Sequence, residues 1–154
     1  MVDTSTILFG GGAILAVIGA ALFSARKFLL QRSEKELDEI ETKYFNEVLI
    51  TETKNLAEAE DVSREKIENY KSYLDSWYNL KNNRGILNTT TMWLFILFML
   101  TIGYLVLLSA DMVNTEYLIL FFLTYIFFIY MLIISSKQIR DIVNKMNEDL
   151  SYRK

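Results

Sequence analysis

The sequence predicts an all-α membrane protein with three transmembrane helices and a cytoplasmic, coiled-coil-like helical hairpin between the first and second. Two observations predict it. Apolar residues make up 52% of the chain and charged residues 23%, yet the two classes are segregated: Ile7 to Phe23, Met92 to Ala110 and Tyr117 to Ser135 contain no Asp, Glu, Lys or Arg. Each run is about the length needed to cross ~30 Å of hydrocarbon as a helix. The basic residues are equally one-sided. Eleven Lys or Arg lie from Arg26 to Arg84 and five after Ser136, which accounts for all 16. Because Lys and Arg near a span are held on the cytoplasmic side during insertion, the N-terminus is expected outside and the C-terminus inside a cell membrane. The segments are then 1–25, an extracytoplasmic N-terminus and first span; 26–88, the hairpin; 89–136, two spans with a short outer turn; and 137–154, an amphipathic cytoplasmic tail.

The first run is read as a retained span. Phe23-Ser24-Ala25 has the small residues of a cleavage site, but a signal peptide carries its positive charges before the apolar run, and here Arg26 and Lys27 follow it. Gly12, Ala16, Ala20 and Ser24 recur every four residues as a ridge that lets another helix approach closely. That helix belongs either to another subunit or to the second or third span of this chain.

From Ser24 the first helix is expected to run on without a break. Leu30, Leu37, Ile40, Tyr44 and Val48 recur at helical spacing along the first arm. Asp61-Val62-Ser63 is the expected reversal, since Asp and Ser cap a following helix. In the second arm Ile67, Tyr70, Leu74 and Trp77 fall at the steps of a coiled-coil seam, to be filled by the first arm or by a partner. Tyr70, Tyr73, Trp77 and Tyr78 make this arm unusually aromatic, which suits an interface core as well as an internal seam. Asn82-Asn83-Arg84-Gly85 reads as a helix stop, with Asn88 or Thr89 capping the second span.

The second and third spans contain only weakly polar groups, Thr101, Gly103, Ser109, Thr124, Tyr125 and Tyr130, and no ionisable residue at mid-membrane, which argues against a proton relay in this chain alone. Trp93 and Tyr117 stand where interfacial anchors belong. In the tail, Ile139, Ile142, Val143 and Met146 share one side.

Chemistry is narrowed by what the chain lacks. With 0 Cys and 0 His, thiolate nucleophiles, disulfides, imidazole catalysis and zinc or haem ligation by these residues are excluded. Gly10-Gly11-Gly12 has no Gly-Lys-Ser/Thr after it, and the carboxylates lack calcium-loop spacing. No catalytic, cofactor-binding or metal-ligating residue is therefore assigned, and no cofactor or small-molecule substrate is expected. A net charge of −3 gives nucleic-acid binding no electrostatic support.

In the order of its segments from Ser24 to Ser136 the chain resembles the three-span relatives of YidC-type membrane insertases, which carry a cytoplasmic coiled coil between their first two spans. That resemblance implies a polar groove open to the cytoplasm, with Arg26 as its candidate charge. The order of spans is also similar to that of proton-channel subunits of the MotA and ExbB type. The expected role is a non-catalytic accessory or scaffold subunit of a larger membrane complex, its partners being other membrane subunits in a hetero-oligomer and the lipid bilayer. The alternatives are an insertase-like chaperone for client helices and an oligomeric channel subunit lined by Thr101 or Thr124.

Overall fold

A computed structural model of the protein describes the backbone of residues 4–59, 62–109, 114 and 116–152, and the side chains of these residues apart from 4–16 and 109. It is all-helical, with 93% helix and no strand among the described residues. Helix α1 spans Thr4–Leu30, α2 Glu34–Tyr44, α3 Ile50–Glu58, α4 Arg64–Ser109 and α5 Tyr117–Ser151, and a π-helical turn, Phe45–Leu49, joins α2 to α3. Helices α4 and α5 are long and apolar enough to cross a membrane. The first half of the expected first span has its side chains outside the described residues.

The chain does not run unbroken from α1 into α2. Gln31 takes the left-handed conformation, φ 55°, ending α1 as C′ residues do. Ser33 then opens α2 with a capping box: its Oγ accepts from the Glu36 N–H at 3.2 Å while Glu36 Oε2 accepts from the Ser33 N–H at 3.0 Å. The Ser-x-x-Glu signature in the sequence outweighs the helical periodicity that predicts continuity.

At the other end of this region the expected stop is absent, and α4 continues as one helix of 46 residues, about 69 Å at 1.5 Å per residue. Asn83 bonds back onto its own helix, Nδ2 to the Asn79 carbonyl at 2.9 Å, and Gly85 has no positive φ. Stop-forming residues give way here because Leu80 and Leu87, one heptad apart, are both fully buried. Asn88 and Thr89 sit within the helix and cap nothing. Of the expected reversal, Val62 and Ser63 are non-helical and Ser63 Oγ accepts from the Lys66 N–H at 3.4 Å; Asp61 lies outside the described residues.

The molecule forms two compact units. One, Leu30–Ile86 with Ser135–Lys154, packs α2 and α3, the start of α4 and the end of α5 around Leu37, Tyr44, Val48, Leu80, Ile139 and Met146. Side-chain bonds between α2–α3 and α4 span 50 residues at Glu34–Arg84, 43 at Glu41–Arg84 and 17 at Thr53–Tyr70, so the two stretches run in opposite directions. The π-helical turn adds one residue to the helical repeat. Inward positions Glu41 and Tyr44 precede it and Glu52 and Leu56 follow it, and within it the neighbours Val48 and Leu49 are both buried. In α5 the buried line is Ser136, Ile139, Val143, Met146 and Leu150, in heptad steps; Ile142 is only half-buried.

The other unit is Met1–Leu29 with Leu87–Ile134. Its α4 residues Leu87, Thr90, Leu94 and Leu97 are buried. Tyr125 closes on α4: its ring lies 5.0 Å from that of Phe98 and its hydroxyl 2.9 Å from Thr101 Oγ1. Because Thr101 spends its only proton on the Leu97 carbonyl at 2.8 Å, Tyr125 is the donor of that pair. Elsewhere the unit shows apolar surface, with Leu100, Val106, Ile119, Phe122, Leu123 and Phe127 all more than half exposed.

Candidate functional site

The second-arm seam is placed differently from its sequence expectation. Ile67 is 52% and Leu74 41% exposed, while Tyr70 and Trp77 are half-buried. The face that packs inward carries Tyr73, Ser76, Leu80 and Asn83 instead, and Leu87, Thr90, Leu94 and Leu97 follow in the same register along α4. The inner seam includes small polar residues, so an apolar count locks onto the wrong face.

Around the half-buried pair the chain makes real contacts. The hydroxyls of Tyr70 and Thr53 lie 3.3 Å apart, and because Thr53 gives its proton to the Leu49 carbonyl at 2.7 Å, Tyr70 is the donor. The Trp77 ring lies 5.4 Å from Phe45, with Lys81 Nζ 5.1 Å from its centroid. Its indole N–H is buried without an acceptor among the described residues. Tyr73 meets Tyr44 edge-on, with centroids 6.5 Å apart. Tyr78, 66% exposed, makes the aromatic set incomplete as an internal seam.

Sequence reading missed the charged centre of this unit. Arg84, whose side chain is 17% exposed, reaches Glu41 at 2.6 Å, Asp38 at 2.7 Å and Glu34 at 3.1 Å. Burial alone would lower its pKa, but the carboxylates of Asp38 and Glu34 outweigh that and hold the guanidinium above its usual range. The signal was available: Glu34, Asp38 and Glu41 lie at i, i+4 and i+7, one face of α2. A second polar tie joins Tyr44, 0% exposed, to α5, its hydroxyl donating to Asp149 Oδ2 at 2.9 Å. Burial, then the Asp149 carboxylate accepting the phenol proton, pushes the Tyr44 pKa well above that of a free tyrosine.

In α1, Ala20 and Ser24 of the small-residue ridge are exposed, whereas Ile18, Leu22, Arg26 and Leu29 turn inward; the side chains of Gly12 and Ala16 lie outside the described residues. Arg26, the candidate groove charge, has its Nε buried. Thr101 is engaged by Leu97 and Tyr125, and Thr124 donates to the Leu120 carbonyl at 2.7 Å, so both candidate channel-lining hydroxyls donate within the chain.

A cleft of about 390 Å³ lies between α2 and α5, lined by Arg32, Glu36, Glu39, Lys43 and Leu150 among others. Its cations and carboxylates are balanced, which gives it no preference for a charged ligand. Among the described residues no group of three Asp or Glu is placed to hold a metal ion. In comparison with known proteins, the chain matches no protein-family model, no curated protein and no solved structure.

Proposed function

We propose that the protein is a non-catalytic accessory or scaffold subunit of a larger integral membrane complex. It crosses the cell membrane three times, N-terminus outside, with its hairpin and tail in the cytoplasm. The observation that carries this reading is the exposure of the two described residues of the α1 ridge. Ala20 and Ser24 are exposed, while α1 uses Ile18, Leu22 and Leu29 for its inward face. A close-packing face left uncovered by its own chain suits a helix of another subunit. The exposed apolar residues of α4 and α5 suit lipid, and the one-sided distribution of Lys and Arg supports the orientation.

The test is purification of the tagged protein from its native membrane in mild detergent, followed by mass spectrometry and a native gel. Stoichiometric recovery with other membrane subunits is expected, and Ala20→Leu with Ser24→Leu is expected to release them. Recovery alone overturns the reading. The insertase-like alternative draws on Arg26, whose Nε is buried; recovery with ribosomes and assorted unfinished membrane proteins would favour it instead.

A further inference from the structure

Along the outer face of α4, Arg64, Ile67, Lys71, Leu74, Tyr78 and Lys81 recur at steps of three, four, three, four and three, and all six are exposed. This is the register of a second coiled-coil seam on the side of α4 away from Ser76 and Leu80. We propose that it docks an amphipathic helix of another polypeptide, one whose apolar line is flanked by carboxylates. The proposal rests on the subunit reading and names the place and chemistry of one contact.

Three large apolar side chains stand in line here: Ile67 at 52%, Leu74 at 41% and Tyr78 at 66% exposure. They lie in the charge-mixed part of the chain, outside the apolar runs that suit lipid. Every charged residue in the line is a cation. Glu68 and Asp75 lie only at its edge, and Glu68 is already engaged by Arg64 at 3.1 Å. Lys71 and Lys81 thus set the sign of the stripe. A second copy is a poor occupant. Two copies inserted with the same orientation present α4 in parallel, and a shared seam would set Lys71 against Lys71 and Lys81 against Lys81. Carboxylates on the docking helix meet both lysines and leave the apolar line to exclude water.

The experiment places the photocrosslinker benzoylphenylalanine at Leu74 or Tyr78 of the full-length protein in its native membrane, with Asn79, exposed but off the stripe, as control. The expected result is one discrete heterologous adduct from positions 74 and 78 and none from 79. Its mapped contact peptide should show a three-four apolar repeat beside Asp or Glu. Lys71→Glu with Lys81→Glu lowers the yield about tenfold, the milder Lys71→Gln lowers it severalfold, and Lys at the mapped partner acids restores it. An adduct of two copies, an adduct to lipid alone, no adduct, or a yield indifferent to charge reversal overturns the inference. If the purification described above still recovers stoichiometric subunits in any of those cases, the subunit reading stands and the stripe alone is removed.

Discussion

A Cβ added at Gly85 meets no atom within 4 Å, so in the interior of α4 this glycine contributes only backbone entropy to the unfolded chain. Gly85→Ala is expected to stabilise the protein by roughly 1 kcal/mol in thermal unfolding followed by circular dichroism. A loss instead would mean that the helix ends there, as the run of turn-forming residues suggests. Arg84, its neighbour, holds three carboxylates on α2. Arg84→Ala leaves them facing one another and should cost about 2 kcal/mol, less than a fully buried pair because Asp38 and Glu34 remain open to water. Tyr44 bears on pH. Its folded pKa is raised above that of the unfolded chain, so its contribution is complete below about pH 10 and is lost as pH rises beyond that. Melting should therefore weaken as pH rises above about 10 in the native protein, and Tyr44→Phe, lower by about 1.5 kcal/mol at pH 8, should show a shallower decline.

Helix by helix, what could be read in advance depended on how apolar the packed face is. Leu37, Tyr44 and Val48 of the first arm and Ile139, Val143 and Met146 of α5 are large and apolar, and their periodicity points straight at the core. In α4 the inner face includes Ser76, Asn83 and Thr90, whose small polar side chains fit where helices lie close, and the visible apolar repeat belongs to the outer stripe. Neither the three-carboxylate clasp of Arg84 nor the uncovered side of α1 was legible, since both depend on which elements meet. The π-helical turn is equally silent in sequence, and its register is testable. Deleting exposed Asn46 turns it into ordinary α-helix while keeping Tyr44 and Leu49 on one face, with a melting temperature expected within a few degrees of the native value. Deleting exposed Asn79 between Ser76 and Leu80 offers no such absorption. It rotates the rest of α4 by about 100° and is expected to abolish cooperative melting.

For the molecule as a whole, the absence of cysteine makes single-cysteine labelling clean. Asn114→Cys should react with an impermeant maleimide on intact cells, and Ser63→Cys and Tyr152→Cys only after permeabilisation; the reverse pattern would refute the proposed orientation. The unit built around Leu37, Tyr44 and Leu80 also draws on Ser136 to Leu150, which the chain reaches only after both apolar stretches of α4 and α5. During synthesis its early helices must wait with their packing surfaces uncovered until the last membrane-length helix has been made. Completion of this unit is thereby tied to translation of that helix, and a chain stalled before residue 135 would present unfinished apolar surface to the cell's degradation machinery.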